Sequence, residues 1–378
     1  MGWKHFDLFD AGAPKAATIP CGYPFEAFGT QHVVYVGEDG HVWEALWEEG
    51  AWSPYDLTGF TGAPVQSISS PLHRPTAYVF RRTQHVIFVN SPASEGDTRA
   101  GDICELWWDD GSGWHLHNLT GDVGAPLAVQ QAPCAYAFEA HGTQHVDYLG
   151  SDGHIHELWW DNDGWHHNDL TKASGGGAPL ATSSPQGYVF ANTLHVLYVD
   201  EDGYAHQMIW DRGWTHSPVT TPPFNVPVAP ETSLAAYVFE ALASQHVNYI
   251  GVDGRLYEVS WDSGGSHYDD LIDESGVDGE APAVLCAYAF ESQRTRHVDY
   301  TGSTGEVIEL WRDSDGWHNN NLTNAAGRAP PADQGNPAGY AFATDGTQHV
   351  FYIGIEDNHI HELRWTAGLA AVLPIARR

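Results

Sequence analysis

The sequence predicts an all-β protein built as a seven-bladed β-propeller, and three observations carry that expectation. First, the dipeptide His-Val returns seven times, at His32, His85, His145, His195, His246, His297 and His349. The successive spacings are 53, 60, 50, 51, 51 and 52 residues. A period of this length marks a repeat architecture in which each unit buries its faces against its neighbours. Second, every repeat divides into four short runs rich in aromatic and β-branched residues, and no stretch keeps a helical period. Third, the two ends complement each other. The last repeat stops after its third run, at His361-Glu-Leu-Arg-Trp365, and Gly2-Trp-Lys-His-Phe-Asp-Leu8 matches the fourth run of the third repeat, Gly164-Trp-His-His-Asn-Asp-Leu170.

The third repeat gives the elements in order. Tyr136-Ala-Phe138 forms the first strand and Thr143-Gln-His-Val-Asp-Tyr148 the second. In the second, Val146 and Tyr148 share one face and His145 and Asp147 the other, as the two-residue period of a strand requires. His154-Ile-His-Glu-Leu-Trp-Trp-Asp161 is the third strand and Gly164-Trp-His-His-Asn-Asp-Leu-Thr171 the fourth. His141-Gly142, Ser151-Asp-Gly153 and Asn162-Asp-Gly164 supply the tight turns of an antiparallel meander. Linkers with Ala-Pro follow most repeats (Ala63-Pro64, Ala125-Pro126, Ala178-Pro179, Ala281-Pro282, Ala329-Pro330). Proline suits a connection from an outer strand to the next inner one, since it cannot donate to a ladder.

Four-stranded units of this size repeated radially make a propeller. Residues 1–14 are expected to complete the last blade, so that 1–378 is one domain and no edge needs protection. The tail 367–378 matches no repeat. An open solenoid is the alternative.

Composition narrows the partners. The formal net charge is −33, with 16 Lys plus Arg against 49 Asp plus Glu. Nucleic acid and anionic membrane surfaces both select basic patches, so neither is expected as a partner. No apolar run is long enough to span a membrane, and no secretory signal is seen. The expected location is therefore cytoplasmic, or outside the cell by a non-classical route, unless a signal has been removed. Whether rings associate as a homo-oligomer is left open. Cys21, Cys134 and Cys286 take the same place in repeats 1, 3 and 6, two residues before a Tyr, and read as small residues of inner strands, not as a disulfide framework.

Two constellations could carry chemistry. In four repeats a Glu follows the His by twelve residues: His32 and Glu44, His145 and Glu157, His246 and Glu258, His297 and Glu309. Repeat 7 has His349 and Glu362, repeat 2 an insertion from Asn90 to about Gly101 between His85 and Glu105, and repeat 4 has Gln207. Across a hairpin this spacing sets both side chains on one face. An imidazole beside a carboxylate can hold vicinal hydroxyls. The same pair could equally be a hydrogen bond that pins each blade to its neighbour.

The second constellation is aromatic. Trp47, Trp108, Trp160, Trp210, Trp261 and Trp365 share the parity of core positions. The neighbouring position varies, and where it is Trp107, Trp159 or Trp311 it shares a face with the Glu and offers a flat platform for the apolar side of a sugar ring. The fourth-strand tryptophans (Trp3, Trp52, Trp114, Trp165, Trp214, Trp317) could reach a neighbouring cleft, although each reads first as packing. His154-Ile-His156 and His166-His167 invite a metal reading, but are expected to be outward polar positions, so neither metal nor cofactor is assigned. Asn118-Leu-Thr120 and Asn321-Leu-Thr323 match a glycosylation sequon but recur at strand ends and read as structural.

On these residues the chain resembles the fungal fucose-specific lectin family and, in architecture, the seven-bladed lectins of insect-pathogenic bacteria. The fungal repeat, a basic residue followed by Val-Tyr-Tyr, a turn and Ile-x-Glu, corresponds to His145-Val-Asp-Tyr148, Asp152-Gly153 and Ile155-His-Glu157. The resemblance implies that the basic residue and the Glu hold fucose between blades while aromatic side chains stack on it. It thus implies a non-catalytic, multivalent binder of glycans or glycoconjugates. Two departures stand out: His replaces the family's arginine in every repeat, and the fungal rings have six blades.

A protein-interaction scaffold is the rival reading, with Asn90 to Gly101 and Thr221 to Pro230 as its recognition segments. An enzyme with an axial site is the third. It would need residues unique to certain blades, yet the positions after Tyr-x-Phe (Glu26, Arg81, Glu139, Ala191, Glu240, Glu291, Ala343) are repetitive and form no catalytic cluster.

Overall fold

The computed structural model describes residues 2–68, 70, 73–91, 99–129, 131–222, 225–230, 232–277, 285–333, 335 and 337–366. Ala281-Pro282, most of the insertion between Asn90 and Gly101, part of the stretch Thr221 to Pro230, and the tail from residue 367 lie outside the described residues.

Seven four-stranded antiparallel sheets form the molecule. Blades 1 to 6 span 21–56, 76–118, 134–169, 186–218, 235–270 and 285–321, and blade 7 joins 338–366 to 2–7. The first strands of successive blades touch one another in order, and the first strand of blade 7 touches that of blade 1, which closes the ring. The N-terminal strand Gly2–Asp7 pairs with Ile360–Thr366, Phe6 standing opposite Glu362. A hairpin-connected strand would occupy this place in any other blade. Here the pairing joins the two ends of the chain and removes the edge that an open array would expose. Among the described residues no helix is long and apolar enough to cross a membrane.

The core lies between blades. Tyr78, Phe80 and Ile87 of blade 2 pack on Val146, Tyr148 and Leu158 of blade 3, all buried, and equivalent clusters recur around the ring. Asp147 and Asp299 follow His-Val on their second strands, and Gly187 and Gly339 face them from the next blades. A Cβ on Gly187 would lie 2.1 Å from Tyr136 Cε1 and 2.8 Å from Asp147 Oδ2. A Cβ on Gly339 would lie 2.5 Å from Tyr288 Cε1.

One feature departs from the sequence expectation. Among the described residues six blades end their fourth strand in a single helical turn, α-helical in five, as at Leu119–Val123 and Leu170–Ala173, and 3-10 in blade 7 at Leu8–Ala11. Its cause is a repeated Asx-Leu, followed by Thr in blades 1, 2, 3 and 6. The Asn118 side chain accepts from Gly121 N at 2.8 Å, and Asp169 from Lys172 N at 3.0 Å, which caps the turn. The leucine is fully buried. The threonine hydroxyl accepts from the first backbone N–H of the third strand, Ile103 N to Thr120 at 3.1 Å and Ile155 N to Thr171 at 3.0 Å. The sequon-like Asn118-Leu-Thr120 is thus a cap and a strand clamp.

The glutamates after Tyr-x-Phe join the inner hairpins of adjacent blades. Glu26 accepts from Ala343 N at 2.8 Å, Glu139 from Arg81 N at 2.8 Å and Glu291 from Glu240 N at 2.7 Å. The four cysteines are free thiols.

Candidate functional site: clefts between blades

The His–Glu pairs form as their spacing predicts, because each pair stands close in register on the second and third strands. His Nδ1 donates to the carboxylate at 2.8 Å for His32 and Glu44, 2.7 Å for His85 and Glu105, 2.8 Å for His145 and Glu157, and 2.8 Å for His297 and Glu309. His349 and Glu362 meet at 2.6 Å, His246 and Glu258 at 3.3 Å, and His195 reaches Gln207 at 3.4 Å. The other ring nitrogen is held by the hydroxyl two residues earlier, as by Thr83 at 2.7 Å and Thr143 at 2.8 Å. The inner-strand tyrosine stacks on the imidazole, Tyr78 on His85 with centroids 4.8 Å apart.

What the spacing does not show is how deeply these pairs are placed. The imidazoles are 0–6% exposed and the carboxylates 0–3%. The next blade covers them with the residue before its own His. Gln348 donates to Glu309 at 2.5 Å, and Arg296 to Glu258 at 3.0 Å. The Tyr78 hydroxyl donates to Gln144 at 2.8 Å and that of Tyr340 to Gln31 at 3.0 Å. In blade 7, Glu362 also receives Arg364 and, from blade 1, Trp52 Nε1 at 3.0 Å. The pairs therefore act as interior stitches between blades, which is the structural alternative the sequence offered. Only some of them also reach a cleft.

The clearest such place lies between blades 2 and 3, a cavity of about 840 Å³. His85 and Glu105 lie on its floor, and Arg81, Arg82, Thr83, Trp107, His117 and Asp122 come from the same blade. Blade 3 closes it with Gln144, Trp160 and Trp165. Trp107 is half-buried and stacks on His115, which stands opposite it in register, at 4.1 Å and 22°. His117 lies 3.7 Å from Glu105 and also pairs with Asp122. The nearby Glu105 carboxylate and then the bond to Asp122 push the His117 pKa up to about 9 against the opposing effect of burial. Burial works to raise the Glu105 carboxyl, but the nearby His117 and the bond from His85 hold it below the ordinary value. The cleft thus presents an aromatic wall beside a cationic imidazole and two carboxylates. This set can hold a small neutral molecule having one apolar face and several hydroxyls.

A second cleft, between blades 5 and 6, has about 1080 Å³. His246 lines it, but Ser260 stands where blade 2 has Trp107. The aromatic contribution comes from Trp311 and Trp317, with the Arg296 guanidinium 5.0 Å above the Trp317 ring. Trp159 and Trp311 repeat the arrangement of Trp107, each stacked on a fourth-strand imidazole at 4.2 Å, His166 and His318. Those imidazoles are bonded to Asp161 and Asp313 at 3.0 and 3.1 Å.

Sequence reasoning missed His115, His117 and Asp122. The signal was available: His115, His166 and His318 occupy one place in the fourth strand, opposite the three variable tryptophans. The core-parity tryptophans are half-buried and not core: Trp160 meets Phe80 edge to face at 6.1 Å and also lines the cleft between blades 2 and 3.

No family model matches the chain, and no curated protein matches it. Solved structures do. A lectin of Burkholderia pseudomallei superposes with a TM-score of 0.68 at 17% identity, covering 93% of this chain and 96% of that one. A lectin solved in complex with alpha methyl fucoside gives 0.53 at 18% identity, with 84% and 98% covered. The Aleuria aurantia lectin, described as a six-bladed β-propeller with a novel fucose recognition mode, gives 0.51 at 16% identity, with 78% and 91% covered.

Proposed function

We propose that this chain is a lectin that binds fucose-type sugars in clefts between its blades and catalyses no reaction. The observation that carries this is the cleft between blades 2 and 3, where Trp107 stands beside His117, Glu105 and Asp122. A pyranose has an apolar face for an indole and hydroxyls for charged partners, whose hydrogen bonds are the stronger kind. The likeness of the ring to lectins, one of them solved with a fucoside, supports the same reading. The cleft between blades 5 and 6 is the second site, with arginine and tryptophan in a different arrangement. Each site is modest alone, and several on one ring engage a glycan-coated surface by avidity.

The test is a glycan array probed with the parent and with Trp107→Ala, followed by titration of the free monosaccharide. Binding to a related set of fucosylated glycans, competed by free fucose and reduced at least tenfold by Trp107→Ala at unchanged melting temperature, is expected. A blank array at high protein concentration would refute sugar recognition and favour the scaffold reading.

A further inference from the structure

Two groups of imidazoles and carboxylates lie away from these clefts, at the opposite end of the blades. In blade 3 they are Asp152, His154, His156, His167 and Asp169. In blade 7 the same five places hold Asp357, His359, His361, His5 and Asp7, the last two supplied by the strand from the other end of the chain. His156 and His361 are each 1% exposed, so the sequence expectation of outward polar positions does not hold for them. The reason is register: they share the parity of Leu158 and Leu363, which face the preceding blade.

The ion pairs of the two groups are alike. His154 Nδ1 lies 2.9 Å from Asp169 and 3.8 Å from Asp152, and His156 Nε2 lies 3.1 Å from Asp152. His359 Nδ1 lies 2.9 Å from Asp7 and 3.8 Å from Asp357, and His361 Nε2 lies 3.2 Å from Asp357. Three donors converge within 4.8 Å in each group, but with a different histidine: Asp152, His156 and Asp169 in blade 3, and Asp7, Asp357 and His359 in blade 7. Donors around a tetrahedral zinc ion stand about 3.4 Å apart, given bonds of about 2.0–2.1 Å. The fifth residue completes the pattern. His156 Nδ1 meets His167 Nε2 at 3.1 Å, and His361 Nδ1 meets His5 Nε2 at 2.9 Å. A ligating imidazole needs such a partner on its other nitrogen to fix tautomer and orientation.

Other blades show what the carboxylates are for. Blade 5 keeps Asp253 and Asp270 but has Arg255 in the place of His154, and its guanidinium bonds Asp270 and Asp273. Asp270, the counterpart of Asp169 and Asp7, thus faces a positive charge there. In blades 3 and 7 the imidazoles of His154 and His359 stand there instead, 2.9 Å from Asp169 and from Asp7. The charges nearby differ. Lys172 bonds Asp169 at 2.7 Å in blade 3, whereas Asp10 stands at the equivalent place in blade 7 and Phe9 stacks on His359 at 4.0 Å.

We infer that blades 3 and 7 each bind one divalent transition-metal ion of the zinc class, through His154, His156, Asp152 and Asp169 and through His359, His361, Asp357 and Asp7. The blade 7 site is the tighter, since Lys172 competes for Asp169 in blade 3. Because its ligands come from both ends of the chain, metal there also clamps the ring closure.

The test titrates ZnCl2 by calorimetry into chelator-stripped protein, with CaCl2 as a control for oxygen-preferring cations. Two zinc ions per chain and no calcium binding are expected. Asp169→Asn and Asp7→Asn remove a charged ligand while preserving the cap, as Asn118 and Asn321 do in blades 2 and 6. Each should weaken its own site at least tenfold, and His167→Ala or His5→Ala should cost about 10–100-fold, the usual effect of losing such a partner. Cobalt substitution should give the visible bands of a tetrahedral ion, lost in the double Asn variant. Zinc binding that is absent, or whose stoichiometry the double Asn variant leaves unchanged, would overturn the proposal.

Discussion

Replacing Asp147 and Asp299 by asparagine should make the protein more stable, and increasingly so as the pH rises. Each aspartate is fully buried and stands directly opposite a glutamate, Asp147 facing Glu157 and Asp299 facing Glu309. The glutamates are tied to His145 and His297 at 2.8 Å. Burial first, and the neighbouring Glu charge second, raise both aspartic pKa values well above the ordinary range. The folded state thus keeps a proton that the unfolded chain has released. Stability must then fall with pH, starting near the unfolded value of about 3.9, for as long as the folded carboxyl stays protonated. The slope is about 1.4 kcal/mol per pH unit for each group, so about 2.8 kcal/mol for the two. Asparagine removes this dependence without a change of shape. Blade 5 already carries Asn248 at that position, donating to Glu258 at 3.3 Å. Urea unfolding of parent and double variant at pH 5 and pH 6 measures the difference. A gap that widens from pH 5 to pH 6, by up to about 2.8 kcal/mol, is expected from the same slope. Parallel curves would refute the buried-proton argument.

Other perturbations follow from the same contacts. Gly187→Ala forces a methyl into the Tyr136 ring and should cost about 1–3 kcal/mol in chemical unfolding, the usual range for overpacking; an unchanged midpoint would show that the blades can move apart freely. Thr120→Val leaves the Ile103 N–H without its acceptor and should cost about 1–3 kcal/mol, with faster hydrogen exchange at Ile103 as the specific readout. The raised pKa of His117 means its ion pairs with Glu105 and Asp122 stabilise the fold fully below about 6.5. That contribution is lost as pH climbs through about 9. His117→Asn should therefore flatten the stability profile between pH 7 and 9.5, and a profile identical to the parent's would show that the imidazole is uncharged.

The sequence carried the ring because every blade repeats a two-residue alternation between turns, and because Gly2 to Leu8 repeats a fourth strand. It did not carry the helical turns: Leu119–Val123 is too short to display a 3.6-residue period, and only its Asx-Leu-Thr start betrays it. The His–Glu meeting was legible from spacing, since register decides which side chains face each other. Its burial was not. That depends on Gln31, Gln84, Gln144 and Gln348 reaching across from the next blade, and no spacing within one repeat shows this. For that reason Glu157 and Glu309 are poor probes of ligand binding, since their loss would disturb the stitches. Trp107 is the better probe because it is only half-buried and faces an open cleft. The pairing of Trp107 with His115 needed cross-strand register, which the sequence gives only once the hairpin turn at residues 110–112 is placed.

The most direct measurement is a crystal structure of the protein soaked with the monosaccharide that competes best on the array. The account predicts sugar between blades 2 and 3, its apolar face against Trp107 and its hydroxyls bonded to His117 and Asp122. Sugar bound elsewhere, with that cleft empty at saturating concentration, would contradict it.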